Sequence, residues 1–146
     1  MKKTLVLALA ASIALVTVAF AHSKVKKSTP IDSQIVKVMP KTVQLEFDED
    51  VVTKFSTFKV YKLETKSKGS EQLEKEAEAL AEKLTMKKDD AKARADSGFK
   101  GIADETTKFT INLKPGLKPG VYVVMWRLLG SDTHTVMGNL WFQYKP

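Results

Sequence analysis

The stretch 121-VYVVMWRLL-129 decides the fold, because it is apolar almost throughout and is interrupted only by Arg127. Alternate residues of a β-strand point to opposite faces of the sheet. Both faces of this stretch are apolar, one with Tyr122, Val124, Trp126 and Leu128 and the other with Val121, Val123 and Met125. Two apolar faces are typical of a strand in a sheet that is covered on both sides. The stretch therefore predicts a central strand.

Shorter runs with period-two alternation lie on both sides of this central run. They span residues 42–47, 56–63, 109–113 and 139–144. Two Lys-Pro-Gly turn signals stand directly before the central run, where proline fixes φ and glycine accepts a positive φ. Short strands separated by turns predict an all-β chain, folded as a single Greek-key β-sandwich or barrel of immunoglobulin-like size.

Residues 64–98 form a segment of different composition, rich in Glu, Lys, Ala and Leu. Its apolar residues recur at the spacing of one helical face, and they are Leu73, Ala77, Leu80, Ala81 and Leu84. We therefore predict a helical insertion that begins near Ser70 and stops at Gly98. Its charged face favours a solvated helix laid over one end of the sandwich, and a helix that docks onto a partner is the alternative.

The N-terminal segment has the three parts of a secretory signal. A pair of lysines precedes an apolar run at 5–16, and a small-residue Ala-x-Ala pattern ends at Ala21. We predict a signal peptide at 1–21, cleaved after Ala21, and a mature domain at 22–146 in the periplasm. An uncleaved anchor is the alternative, but the apolar run is short against the roughly 20 residues that span a bilayer.

The composition excludes several classes of function. The net charge is +7, but the basic residues are scattered rather than gathered in an arginine-rich or aromatic patch, so we expect no nucleic-acid binding. The chain has no cysteine, which excludes a lipid-modified start, disulfides and thiolate metal sites. We expect an exported monomer without stable membrane insertion.

The two histidines of the chain, His22 and His134, are the candidate metal ligands. Cleavage after Ala21 would make His22 the first residue, and its free α-amine and imidazole Nδ1 could then close on one metal ion. His134 belongs to the Ser-Asp-Thr-His loop at 131–134, between the two most hydrophobic strands. An extended loop would place Asp132 and His134 on the same side. Taken alone, such a tripeptide is more often ordinary surface.

Together these residues would supply an amine, two imidazoles and a carboxylate. Three nitrogens and one oxygen suit tetragonal Cu(II), so the predicted metal is one Cu(II) ion. Without thiolates or clustered methionines the chain offers little to hold Cu(I). Because the amine and the imidazoles must be deprotonated to bind, acidification should weaken copper binding.

Further motifs accompany the histidines. They are His-Ser-Lys at 22–24, Ser-Thr-Pro at 28–30, Leu-Glu-Phe-Asp-Glu at 45–49, Val-Thr-Lys-Phe-Ser at 52–56, Pro-Gly-Val-Tyr at 119–122, Trp-Arg at 126–127, Ser-Asp-Thr-His at 131–134 and Gly138. These motifs resemble those of the periplasmic copper-resistance protein C (CopC) family. The resemblance covers nearly the whole mature chain apart from the charged insertion.

The resemblance implies an immunoglobulin-like or cupredoxin-like β-barrel that binds and carries copper in the periplasm, often beside an inner-membrane copper importer. Its Cu(II) ligands would correspond to His22, Asp132 and His134, with Glu49 as an outer or alternative ligand. Where the family often has a Met- and His-rich loop for Cu(I), this chain has the charged insertion with Met86 as its one methionine. The difference argues against a Cu(I) site.

Three functions fit these residues. The first is a non-enzymatic Cu(II) carrier or buffer in copper homeostasis and resistance, which the two histidines and the resemblance favour. The second is an oxidative copper enzyme of the histidine-brace kind, but the carboxylate of Asp132 would disfavour the reduced copper that activates oxygen. The third is a metal-free immunoglobulin-like interaction module in which both histidines are incidental.

Overall fold

The computed structural model describes residues 24–146, which form two four-stranded sheets and one α-helix. The strands are β1 (Val25–Thr29), β2 (Gln34–Val36), β3 (Thr42–Val52), β4 (Thr57–Leu63), β5 (Asp96–Gly101), β6 (Glu105–Leu113), β7 (Gly120–Leu129) and β8 (Thr135–Tyr144). One sheet has the order β1-β3-β6-β5 and the other the order β2-β8-β7-β4. The predicted all-β sandwich with a helical insertion is confirmed. The predicted signal peptide and His22 lie outside the described residues.

Strand β7 is a central strand that is buried along most of its length, as its sequence predicts. It pairs with β4 on one side and β8 on the other. Its inward residues, Trp126 among them, pack against Phe47 and Phe109 of the opposite sheet. Its outward residues Val123 and Met125 lie in a second apolar cluster beneath the helix. Both apolar faces of the stretch are therefore covered, one by a sheet and one by a helix.

Helix α1 (Ser70–Leu84) makes up the helical part of the insertion. It packs Leu73, Ala77 and Ala81 onto the outer face of the β2-β8-β7-β4 sheet. The apolar stripe is thus confirmed, but two details of the prediction are wrong. The helix covers a face of the sandwich rather than one end, and it stops at Leu84 rather than at Gly98. Within the described residues, no helix is long and apolar enough to cross a membrane.

A lysine from the sheet binds carbonyl groups at and beyond the end of the helix. The Nζ of Lys59, on β4, donates to the carbonyl oxygens of Leu84 and Lys87. It also pairs with Asp90 Oδ2 at 2.6 Å, and both side chains are about 95% buried, at 5% and 4% exposure. Free carbonyl groups at a helix C-terminus need such partners. Lys59 thus joins the end of the helix and the segment after it to strand β4.

The ion pair belongs to a larger buried network. The hydroxyl of Tyr61 donates to Asp90 Oδ2 at 2.5 Å. Burial raises the pKa of Asp90, but the hydrogen bonds from Lys59 and Tyr61 and the charges of Lys59 and Arg94 outweigh it and hold that pKa below its ordinary value. Burial and the hydrogen bond to Asp90 raise the pKa of Tyr61 above its ordinary value. Arg94 continues the network to the buried carboxylate of Asp96 at 2.7 Å.

Gly98 lies in β5, where it forms part of an irregularity in the pairing with β6. Its φ of +117° is rarely adopted by residues with a side chain. The Asp96 carboxylate accepts hydrogen bonds from the backbone N–H groups of Gly98 and Val60. The second half of the predicted helical segment is therefore a turn and an edge strand, fastened to the sheet through Asp96.

Candidate metal centre

The loop that carries Asp132 and His134 is the tight turn of the β7–β8 hairpin. The backbone N–H of Gly130 donates to the carbonyl of His134 at 2.9 Å, and that of Thr133 donates to the carbonyl of Gly130 at 2.9 Å. Thr133 has a φ of +75°, in the left-handed region. The expectation of an extended loop is therefore wrong, because these hydrogen bonds close the chain into a turn.

The turn nevertheless brings the two candidate ligands together. Asp132 Oδ2 lies 2.9 Å from His134 Nδ1, and Asp132 Oδ1 accepts the backbone N–H of His134 at 3.1 Å. The side chains are 53% and 70% exposed. The hydrogen bonds from the backbone and the imidazole of His134 lower the pKa of the Asp132 carboxyl below its ordinary value. The pair therefore presents an ionised carboxylate and an imidazole side by side to solvent.

The geometry of the pair fits a shared metal ion. Two neighbouring donors, each about 2.0 Å from a metal and at right angles to each other, lie about 2.8 Å apart. The separation of 2.9 Å between Oδ2 and Nδ1 is close to this value, but here it is the length of a hydrogen bond between the two side chains, which a bound metal would replace. One carboxylate oxygen and one imidazole nitrogen also belong to the donor types that Cu(II) accepts. The hairpin can thus supply two adjacent positions of a coordination sphere.

Strand β3 supports this turn. Ser131 donates its backbone N–H to the carbonyl of Asp50 at 3.1 Å, and its hydroxyl lies 3.0 Å from Glu105 Oε2. Gly130 forms an isolated bridge with Val51. The pairing of β3 with β6 shifts between Glu46 and Val51, so the turn rests against an irregular part of the strand. We call residues 48–50, which lie within that irregular part, the β3 bulge.

Glu49 is in the middle of the β3 bulge and its side chain is exposed. It precedes Asp50, whose carbonyl receives the hydrogen bonds of Ser131. The structure therefore places Glu49 at the same end of the sandwich as the hairpin turn. Whether its carboxylate contacts a metal stays a prediction.

The N-terminal chain also meets the β3 bulge. The backbone N–H of Lys24 donates to Asp48 Oδ1 at 2.9 Å, and the N–H of Asp48 donates to the carbonyl of Lys24 at 3.1 Å. The acidic run at 48–50 is typical of a solvated strand end, so the sequence does not reveal this contact across 24 residues.

Within residues 24–146, the side chains of His, Asp and Glu form no group of three or more that could hold a metal ion. Asp132 and His134 provide two donors. A complete site would therefore need donors from outside the described residues, and His22 is the candidate that the sequence provides.

Comparison with known proteins identifies the family. The CopC domain model matches residues 25–145. The chain is 32% identical over 142 residues to copper resistance protein C of Xanthomonas campestris pv. juglandis, covering 97% of this chain and 94% of that relative.

Solved structures agree with the sequence match. The crystal structure of CopC from Methylosinus trichosporium OB3b matches with a TM-score of 0.59 and 25% identity, over 86% of this chain and 95% of that one. PcoC, a methionine-rich copper resistance protein from Escherichia coli, matches with a TM-score of 0.58 and 26% identity, over 86% of this chain and 100% of that one. With a family model that spans nearly all the described residues and a relative above 30% identity, the chain belongs to the CopC family.

Proposed function

We propose that this protein is a periplasmic Cu(II)-binding protein, a non-enzymatic carrier or buffer that works in copper homeostasis and resistance and supplies an inner-membrane copper transporter. One Cu(II) ion would be held by the α-amine and imidazole of His22, by Asp132 and by His134, with Glu49 as an outer ligand. The proposal includes cleavage of the signal peptide after Ala21 and a monomeric mature chain.

The observation that carries the proposal is the pairing of Asp132 with His134 on a braced but exposed turn. The hydrogen bonds of Ser131 to β3 limit the movement of the turn. The turn therefore loses little conformational entropy when a metal binds. The exposure of both donors suits a protein that must take up an ion and pass it on. The hard carboxylate favours Cu(II) over Cu(I), which agrees with a carrier that does not cycle the metal.

The requirement for a free N-terminal histidine is tested with an extended protein. We compare the mature chain, its first residue established by intact mass, with a version that carries six additional Gly and Ser residues before His22. The extension keeps the imidazole of His22 but moves the amine away, so we expect at least about a tenfold weaker Cu(II) affinity, as for other losses of metal-site partners. The measurement is a Cu(II) titration against a competing chelator.

Equal affinity of the two proteins would remove the amine from the coordination sphere. A mature chain that begins at a residue other than His22 would refute the proposed processing. A mature chain that binds no Cu(II) would leave only the metal-free interaction module.

The role in copper supply is tested in cells. A strain that lacks this protein should accumulate less cytoplasmic copper when external copper is scarce and grow less well when it is in excess, because periplasmic copper is neither delivered nor buffered. Restoring the unchanged gene should reverse both effects, whereas restoring a His134→Ala gene should reverse neither. Normal copper content and growth in the deletion strain would contradict the proposed role.

A further inference from the structure

The end of the sandwich opposite the hairpin turn is formed by two connections between the sheets. Residues 37–41 join β2 to β3, and residues 114–119 join β6 to β7. The backbone N–H of Leu113 donates to the carbonyl of Lys41 at 2.9 Å, so the two connections begin or end side by side. Strand β7 runs from this end of the sandwich to the hairpin turn.

Four exposed lysines lie at this end, which we call the basic end. The side chain of Lys62, on the last turn of the β4 ladder, lies over Gly120 at the start of β7. None of the four lysines forms an ion pair with a carboxylate of residues 24–146. The fold thus gathers lysines that are scattered in the sequence. They are Lys37, Lys41, Lys62 and Lys118.

Carboxylates at the basic end do not cancel this charge. Asp96 is buried, and Arg94 binds its carboxylate at 2.7 Å. Glu64, one residue after β4, is exposed. Lys114 adds a further ammonium group, which donates to carbonyl groups of residues 91–94. The basic end therefore carries an excess of positive charge.

The end that carries the candidate metal centre has the opposite charge. Lys24 and Lys54 also lie there, but the exposed carboxylates outnumber them. A protein with opposite charges at its two ends is oriented by a charged surface. The exposed carboxylates belong to Asp48, Glu49, Asp50, Asp104, Glu105 and Asp132.

The side chains of the basic end fit a layer of anionic lipid headgroups better than a nucleic acid. Its exposed cations are lysines, whereas arginine is the side chain that grips a single phosphate with two hydrogen bonds. Its aromatic residues, Tyr122 and Tyr144, are buried or half-buried and offer no exposed ring for a base to stack on. Val38, 78% exposed, stands between Lys37 and Lys41. An exposed apolar side chain among lysines is typical of segments that lie on a membrane surface.

We propose that the basic end docks this protein on a membrane surface rich in anionic phospholipids. The lysines bind headgroup phosphates, and Val38 enters the headgroup layer. The docking is peripheral and reversible. It turns the hairpin end away from the bilayer, because β7 runs from one end to the other. None of the docking residues is a candidate metal ligand, so the inference does not depend on copper binding.

The test is co-sedimentation of the metal-free mature protein with vesicles of phosphatidylcholine that contain about 30% phosphatidylglycerol. Lys37→Gln with Lys41→Gln should weaken binding about 25-fold, since each lysine near an anionic surface contributes about fivefold in affinity. Lys37→Arg with Lys41→Arg keeps the charge and should stay within about twofold of the unchanged protein. Val38→Ala should weaken binding about three- to tenfold, because it removes two methyl groups from the contact.

A matched control removes two lysines elsewhere. Lys27 and Lys108 are exposed, and both pair with Glu46 in the other part of the β1-β3-β6-β5 sheet. Lys27→Gln with Lys108→Gln lowers the net charge by the same amount and should stay within about twofold, since salt screens charges that are far from the surface. A thermal unfolding curve of each variant checks that the fold is retained.

Four results would overturn the inference. Equal binding to anionic vesicles and to pure phosphatidylcholine would remove the lipid charge from the contact. Equal losses in the two double Lys→Gln variants would leave only an effect of net charge. An unchanged affinity in Val38→Ala, or tighter binding to a DNA duplex than to vesicles at equal phosphate concentration, would make the basic end a general surface for polyanions. None of these results alters the Cu(II) titration, so the proposed function succeeds or fails separately.

Discussion

Replacing His134 with alanine is expected to weaken Cu(II) binding at least about 100-fold while the fold is retained, because loss of a ligand should cost no less than the roughly 10- to 100-fold lost with a residue that only supports a ligand. The side chain is 70% exposed, and its hydrogen-bond partner among the described residues is Asp132. Removing it costs no core packing but takes one nitrogen donor from the proposed coordination sphere. The measurement is a Cu(II) titration with a competing chelator, beside a thermal unfolding curve.

The neighbouring residue offers a matched control. Thr135 is also exposed and follows directly on the chain, and its hydroxyl has a single long contact of 3.5 Å with Arg127. Thr135→Ala should leave both the copper affinity and the unfolding temperature unchanged. An unaltered Cu(II) isotherm in His134→Ala would make the hairpin turn ordinary surface and would remove the main support for a copper site at this end of the sandwich.

The large elements of the fold could be predicted because their signals are local. The run at 121–129 has two apolar faces, and the structure covers both, so pattern and environment agree. Strands β1, β2 and β5 were missed because they are short or polar. The sequence Asp-Ser-Gly-Phe-Lys-Gly of β5 has little strand preference. It becomes a strand through pairing with β6 and through the hydrogen bonds of Asp96, which no local pattern reveals.

The helix, too, could be predicted only in part. The stripe from Leu73 to Leu84 is a local signal and it predicted the helix correctly. The C-terminal end was not predicted from the local pattern, and its contact with Lys59 joins residues that are 25 apart in the sequence. The sequence of β4 does not indicate that Lys59 is buried or that it contacts the end of a helix.

For the candidate site, the sequence indicates that Asp132 and His134 meet but not how, while the roles of His22 and Glu49 stay predictions. Asp132 and His134 are close in sequence, and the turn does join them. The positive φ of Thr133 could not be predicted, because threonine rarely adopts such a φ and an extended backbone is its ordinary conformation. The supports from Asp48 and Asp50 are contacts across 24 and 81 residues, which are beyond any short motif.

Replacing Lys59 with methionine is expected to lower the free energy of unfolding by about 3–5 kcal/mol, the cost of removing one partner from a buried ion pair. Methionine keeps most of the apolar length of the lysine, so lost packing contributes little. The carboxylate of Asp90, 4% exposed, would keep only Arg94, whose Nη1 lies 3.6 Å away, as a neighbouring cation. The carbonyl groups of Leu84 and Lys87 would also lose the hydrogen bonds from Lys59, although Leu84 keeps the one from the backbone N–H of Lys87. The measurement is denaturant unfolding followed by tryptophan fluorescence.

Two further variants decide whether the uncompensated charge causes the loss. Lys75→Met breaks the exposed pair with Glu71, whose side chains are 64% and 84% exposed, and should change the free energy of unfolding by less than about 1 kcal/mol. In Lys59→Met with Asp90→Leu, no buried charge is left unpaired, so part of the lost stability should return. Full recovery is not expected, because the helix carbonyls and the Tyr61 hydroxyl still lack partners. If Lys59→Met costs no more than Lys75→Met, the buried pair does not hold the insertion to the sheet.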